Sequence, residues 1–156
     1  MKRLLALVSI VTLAHVTARA GDIRVEIKFA QDKNSKPTTM FPEDVPAVHA
    51  FFKTNGTKNG DVLRAVWIAE DVGQAAAQET KIDEASVTGD KDNFAGSFSL
   101  SKPNKGWPVG EYRVEIYFGK ELVKTANFEI TAKTSEADDG DDADDDVHND
   151  SGDDKD

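Results

Sequence analysis

The sequence contains no cysteine among its 156 residues. This absence excludes disulfide bonds, and it excludes a bacterial lipoprotein, whose lipid is attached to a cysteine at the cleavage point. Small exported domains often depend on disulfides because their cores are small. A folded domain in this chain must instead be held together by the apolar area that it buries.

Basic residues are also scarce, with 19 Lys and Arg against 29 Asp and Glu, which gives a net charge of −10. The imbalance is local, because residues 136–156 alone carry −11. The segment between residue 21 and that acidic run is nearly neutral. A nucleic-acid-binding protein requires a basic face to neutralise phosphates, so the composition predicts no nucleic-acid partner.

The residue types of common catalytic sites are nearly missing as well. His49 is the only histidine between residues 21 and 133, and no nucleophile elbow, glycine-rich phosphate loop or clustered set of zinc ligands accompanies it. Two pairs of adjacent carboxylates occur, but neighbours in a sequence point in different directions and are best interpreted as solvated loop charges: Glu70 with Asp71, and Asp83 with Glu84. We therefore predict a protein that is not an enzyme and has no cofactor, and we interpret His49 as an outward polar residue of a strand.

The first twenty residues have the features of an export signal. Lys2 and Arg3 precede an apolar run from residue 4 to residue 16, and Ala18 and Ala20 provide the small residues of a cleavage site. The alternative is a membrane anchor, but spanning a bilayer requires about 20 apolar residues. We predict cleavage after Ala20, export to the periplasm or the exterior, and no membrane span in the mature protein.

The last segment, residues 134–156, is predicted to be a disordered acidic tail because it has almost no apolar residues to bury. Its carboxylates suggest weak, diffuse binding of calcium or another divalent cation, although the spacing fits no EF-hand loop. The alternative is a tail that only adds solubility or length. The candidate metal ligands are Asp141, Asp142, Asp144, Asp145 and Asp146.

Between these two ends, residues 21–133 read as a domain of seven short strands. Apolar and polar residues alternate along each strand, and turn residues separate the strands; no segment predicts a convincing helix, and residues 72–79 form a loop with helical tendency. Two Asn-Gly pairs between residues 55 and 60 predict a hairpin joining residues 47–53 to residues 61–70. The pattern is that of an antiparallel β-sandwich.

Two features within this pattern resemble the immunoglobulin-like and fibronectin-III-like sandwich. Trp67 lies in the strand where that fold places its core tryptophan, and the run Gly110-Glu111-Tyr112-Arg113-Val114 resembles the start of its sixth strand. The resemblance implies that the Tyr112 hydroxyl bonds back to nearby backbone, the tyrosine corner. Val114 stands where antibody domains have cysteine, so the chain is similar to the disulfide-free sandwiches of uncharacterised exported bacterial proteins.

The same resemblance places the strands of Trp67 and Tyr112 side by side. Val66, Ile68 and Tyr117 would then lie together on the outer face of one sheet, as a partner surface or beneath a covering loop. Trp107, in a Pro/Gly turn, is either an exposed recognition residue or packed over the sandwich end. We predict a non-enzymatic exported module that binds a protein, a glycan or an envelope component; the alternative is a calcium-binding protein acting through its tail.

Overall fold

A computed structural model of the chain describes residues 22–133. The predicted signal peptide and acidic tail, with all five candidate aspartates, lie outside the described residues and stay predictions. The described part forms eight strands and one short 3-10 helix, Gly73–Ala75, which fits the helical tendency predicted there. The strands are β1 (Arg24–Ala30), β2 (Met40–Pro42), β3 (Ala47–Asn55), β4 (Val62–Asp71), β5 (Thr80–Thr88), β6 (Ala95–Ser101), β7 (Gly110–Phe118) and β8 (Glu121–Thr131).

The strands form two sheets that pack face to face. One has three strands in the order β1-β3-β6, and the other has five in the order β2-β8-β7-β4-β5. Every pairing is antiparallel except that of β2 with β8, which is parallel. Alternate residues of both sheets point inward and form one apolar core. The predicted all-β immunoglobulin-like sandwich is confirmed, with eight strands and not seven.

The additional strand is β2, inside the stretch between β1 and β3 that contains Pro37, Pro42 and Pro46. Its Phe41 is fully buried, and the strand pairs with the end of β8 from Met40 to Pro42. A strand of three residues that includes a proline has no alternating pattern by which the sequence could reveal it. Pairing with the edge of β8 is what makes this segment a strand.

The predicted hairpin between β3 and β4 is wrong. β3 pairs with β1 and β6, whereas β4 pairs with β5 and β7 in the other sheet. The connection between them crosses the sandwich, where the Gly56 N–H donates to Asn93 Oδ1 at 2.8 Å and the Gly89 N–H donates to the Asp61 carbonyl oxygen at 2.8 Å. The Asn-Gly pairs do reverse the chain. Both strands have apolar inner faces, however, and these faces bury more surface across the core than side by side.

Trp67 and Tyr112 lie at the centre of the core. Trp67 is 1% exposed and meets Phe128 edge-on, with ring centroids 5.9 Å apart. Tyr112 stacks on the other side of the cluster against Phe128 and donates its hydroxyl to the Pro108 carbonyl oxygen at 2.6 Å. This bond is the tyrosine corner that the resemblance implied. Burial raises the pKa of Tyr112 to about 12.

Candidate functional site

Val66, Ile68 and Tyr117 do lie on the outer face of the five-stranded sheet, as predicted. Val66 and Ile68 are only 7% and 8% exposed, however. The register places charged residues beside them on both sides: Glu84 and Glu115 flank Val66, and Lys81 and Arg113 flank Ile68. The two aliphatic side chains are therefore buried between long charged neighbours and do not form an exposed apolar patch.

Arg113 organises the charges on this face. Its guanidinium contacts three carboxylates, those of Glu70 at 2.9 Å, Glu79 at 2.6 Å and Glu115 at 2.8 Å. Asn127 also donates to the Glu70 carboxylate at 3.1 Å. The hydrogen bond to Glu79, above all, holds the pKa of Arg113 above its usual range. We call this surface, centred on Arg113, the closed face.

Tyr117 belongs to the same network, and the residue is half-buried. Its hydroxyl donates to Glu115 at 2.6 Å, and the Arg64 guanidinium lies over its ring at 4.5 Å from the centroid. That hydroxyl is the main reason why the pKa of Glu115 is lowered, and Arg113 adds to the effect. Because these groups satisfy one another and Val66 and Ile68 are buried, the closed face lacks the exposed apolar patch that the sequence predicted, and its role as a partner surface stays a prediction.

Trp107 packs over one end of the sandwich. The residue is 4% exposed, its ring meets Tyr112 edge-on at 6.0 Å, and its indole N–H donates to the Val45 carbonyl oxygen at 2.7 Å. Its apolar surface and its polar atom are both used inside the domain. Of the two alternatives left open by the sequence, the exposed recognition residue is wrong, because the turn folds back onto the core.

Within residues 22–133, the structure brings no three His, Cys, Asp or Glu side chains together in a cluster that could hold a metal ion. The described residues also include no helix long and apolar enough to cross a membrane. Calcium binding by the tail is untested by this structure.

A different surface remains available, the outer face of the three-stranded sheet. Its central row consists of alternate residues of β3, namely His49, Phe51 and Lys53. His49 and Phe51 are both half-buried, and their rings stack with centroids 5.8 Å apart and an interplanar angle of 26°. His49 is thus an outward strand residue, as predicted. We call this surface, centred on Phe51, the open face.

A groove of about 460 Å³ lies on the open face. Phe52, which is 3% exposed, and Gly96 on β6 form part of its wall; a Cβ at Gly96 would lie 3.0 Å from the Phe52 ring, so the glycine leaves room for that ring. The groove combines apolar surface with a few charged and hydroxyl groups, which is the usual make-up of a binding site. Its lining residues are Glu26, Lys28, Phe51, Phe52, Lys53, Ala95, Gly96 and Ser97.

The groove reaches the edge strand β6, which has no charged residue and no proline along its seven residues. Its register with β3 is continuous, without a bulge. The other three edge strands carry the features that discourage pairing with foreign strands: β1 has Arg24, Glu26 and Lys28, β2 has Pro42, and β5 has three charged residues and a register shift. Among the described strands, β6 is the edge that lacks such protection.

The sequence did not predict the open face, because outward apolar residues were identified without knowledge of the side chains beside them on adjacent strands. Two signals were present. Phe51 occupies the polar side of the alternating pattern in β3, and the run from Ala95 to Ser101 contains no charge in a chain where 31% of residues are charged. Neither signal identifies a site without the structure, because the sequence does not show that β6 is an edge.

Comparison with known proteins adds no activity. No protein-family model matches the sequence, and neither does any curated protein. Among solved structures, an immunoglobulin-like protein from Pseudomonas aeruginosa is 16% identical with a TM-score of 0.47, and the match covers 73% of this chain and 100% of that one. At this level of similarity the match assigns no function.

Two enzymes are also similar over part of their length. The alkylpurine DNA glycosylase AlkC from Pseudomonas fluorescens, bound to DNA, is 13% identical with a TM-score of 0.43, over 70% of this chain and 30% of the enzyme. A β-glucosidase from Listeria innocua, in complex with isofagomine, is 12% identical with a TM-score of 0.45, over 71% of this chain and 16% of the enzyme. This chain thus spans less than a third of either enzyme.

Proposed function

We propose that this protein is an exported, non-enzymatic binding module that contacts a partner protein through its open face. The observation that carries the proposal is the groove beside Phe51, which joins an accessible aromatic ring to the unprotected edge of β6. Binding sites combine apolar surface with a few polar groups that set orientation, and Lys28, Lys53 and Ser97 supply such groups here.

The contrast with the closed face supports this choice. There, Arg113 and Tyr117 satisfy the carboxylates around them, so a partner would have to break existing ion pairs before making its own. On the open face, the half-buried Phe51 ring stacks on His49. A partner that covers this ring gains apolar burial without first disrupting a network.

The proximity of β6 favours a polypeptide over a glycan as the partner. An edge strand presents a regular row of backbone N–H and C=O groups, and another polypeptide backbone matches that spacing. The proposed absence of catalysis rests on residue types, since His49 is stacked on Phe51 and lies far along the chain from any other histidine. Export rests on the basic start, apolar run and small-residue site of residues 1–20.

A crosslinking experiment tests the binding proposal. A photoreactive phenylalanine analogue is placed at position 51 of the full chain and, as a matched control, at Leu122, an apolar residue of β8 that is 48% exposed. We expect position 51, but not position 122, to capture a protein from the exported fraction, and excess unlabelled protein to compete. Equal capture at both positions would show that the open face is not selective.

Two further outcomes sharpen the result. If the Phe51→Ala variant loses binding to a glycan array while no protein is captured, the partner is a glycan and not a protein. Export is measured separately, by fractionating cells that produce the full chain and sequencing the amino terminus of the mature protein. A mature protein that begins at Gly21 fits the proposal, whereas one that retains Met1 within the cell contradicts it.

A further inference from the structure

The five-stranded sheet extends beyond the three-stranded sheet at β5. Asp83 and Ala85 occupy inward-facing positions of β5, since they pair with Trp67 and Ala65 of β4, which are 1% and 0% exposed. Asp83 and Ala85 are nevertheless exposed, and Val87 is half-buried. No described strand therefore covers the inner face of β5.

The uncovered face of β5 and the free edge of β6 belong to the same flank of the sandwich. At the opposite flank, β1 packs over β8, where Phe29 and Phe128 have ring centroids 5.1 Å apart. β5 leads to β6 through residues 89–94, and the Thr54 N–H donates to the Phe94 carbonyl oxygen at 3.0 Å, which fixes this connection against the end of β3. The space beside β6 is thus also the space above β5.

A chain added to β6 would lie about 4.8 Å from it and would cover β5 at about the 10 Å separation of packed sheets. A second copy of the protein, paired β6 to β6 about an axis normal to the sheet, fits poorly. Its own five-stranded sheet would have to occupy the position that β5 already fills.

We propose that the β6 edge and the inner face of β5 accept one extended strand from the partner protein. This inference rests on the proposed function and specifies its partner. Side chains that point inward from the added strand would meet Val87 and Ala85 and be apolar, with a basic residue opposite the Asp83 carboxylate. Side chains that point outward would lie beside Ser97 and Ser99, which are exposed, and be small and polar.

A designed peptide tests the strand addition directly. The probe is a nine-residue peptide in which valine and threonine alternate and one terminal valine is replaced by lysine; a peptide of the same composition with its valines grouped is the control. Each is titrated into the isotopically labelled full chain. In β6, the backbone amides that do not bond β3 are expected to exchange their hydrogens with solvent at least about tenfold more slowly when the alternating peptide is present. The control peptide should not slow this exchange.

Two lysine variants test which edge is used. Ser99→Lys places a charge beside the proposed strand at an exposed position. Ser86→Lys makes the same change at an exposed position of β5 that pairs with Arg64 on the outer face of the five-stranded sheet. We expect Ser99→Lys to abolish the protection of β6 and Ser86→Lys to retain it. Equal losses in both variants would overturn the assignment to β6.

A charge exchange tests the orientation of the strand. Asp83→Lys is expected to weaken the lysine peptide by about fivefold, the effect of an exposed charge pair, and a peptide with aspartate in place of lysine is expected to recover the loss. Glu121→Lys, an exposed change at the start of β8, is the control and should alter neither affinity. Failure of the exchanged pair to recover binding would contradict the placement of Asp83 opposite the basic residue.

The remaining outcomes separate this inference from the proposed function. If neither peptide protects β6, even when it is fused ahead of Asp22, strand addition is wrong, whereas crosslinking through position 51 can still succeed. The fusion is suitable because Asp22 lies near the start of β6. The Asp22 carbonyl oxygen is so close to Gly56 that a Cβ there would collide with it, and the Gly56 N–H donates to Asn93, two residues before β6. Concentration-dependent dimers that Ser99→Lys abolishes would instead assign the edge to a second copy and overturn the proposal.

Discussion

The two outer faces of this sandwich differ in how their polar groups are satisfied. On the closed face, one arginine contacts three carboxylates, and a tyrosine and an asparagine complete the network. On the open face, a stacked His49–Phe51 pair borders a groove and an uncharged edge strand. The polar groups of the closed face bond one another and stabilise the fold. The groove and the edge strand of the open face are not used in this way.

This difference teaches that apolar residues on an outward strand position do not by themselves mark a binding surface. Val66 and Ile68 are aliphatic and outward, yet charged neighbours from both adjacent strands bury them. Phe51 has a lysine on one side and a serine on the other, and it is only half-buried. What decides is the length of the flanking side chains and whether they are already paired.

Among changes to the two outer faces, the largest expected effect is the loss of the arginine that organises the closed face. Arg113→Ala leaves three carboxylates close together without their cation, and we expect it to lower the free energy of unfolding by about 3 kcal/mol. Urea denaturation of the variant measures this change. Arg24→Ala, an exposed arginine on β1, is the control and should cost less than about 0.5 kcal/mol. Similar losses in both variants would remove the distinction between the faces.

Alkaline pH should weaken the five-stranded sheet through Tyr112. Its pKa is raised from 10.0 to about 12 by burial, so above pH 10 the unfolded chain loses this proton more readily than the folded one. Stability should therefore fall by about 2 kcal/mol as the pH rises through this window. Denaturation curves at successive pH values measure it. Tyr112→Phe should flatten the slope, whereas a slope that persists in that variant must have another source.

Acidic pH should act on the closed face through Glu115. The Tyr117 hydroxyl, and then Arg113, keep the pKa of Glu115 below its usual 4.5 in the folded protein, so its contribution is present above that value and is lost as the pH falls through the folded pKa. Glu115→Gln should cost about 1 kcal/mol near neutrality and make the acid decline shallower. Glu26→Gln, an exposed change on the open face, is the control and should cost less than about 0.5 kcal/mol near neutrality.

The smallest expected effect on stability is that of Phe51→Ala. Because the ring is half-buried, we expect a loss below about 1 kcal/mol, against about 4 kcal/mol for its buried neighbour in Phe52→Ala. Partner binding should show the opposite order: Phe51→Ala should weaken binding more than Phe52→Ala, since Phe51 is the ring on the outer face. A loss for Phe51→Ala that exceeded the loss for Arg113→Ala would reverse the roles assigned to the two faces.

Much of the fold could be predicted from the alternation of residues. The seven strands were predicted because a period of two residues identifies a half-buried strand without further information. The core position of Trp67 and the Tyr112 corner were implied by the resemblance to immunoglobulin-like sandwiches. The strand β2 and the sheet to which β4 belongs could not be predicted. Both depend on pairing partners that are distant in the sequence, such as Phe41 with Ile130.

The candidate site was less predictable. The sequence identified aromatic or aliphatic residues in outward or turn positions, namely Val66, Ile68, Tyr117 and Trp107. It could not reveal their contacts: Arg113 lies beside Ile68, Arg64 lies over the Tyr117 ring, and Val45 accepts the Trp107 hydrogen bond. Phe51 and the uncharged run of β6 were visible as patterns. Their meaning depended on which strands form the edges of the sheets.

The amino-acid sequence by itself determined that this chain builds a disulfide-free sandwich with a nearly neutral body, because composition and a two-residue period act locally. Only the tertiary structure decided which outer face has its charged groups already paired and which strands form the edges. Sheet order places β6 at an edge and β5 beyond the cover of the opposite sheet, and it brings Arg113 within reach of Glu70 and Glu79. Those outcomes depend on distances between residues far apart in the chain, which no local pattern encodes.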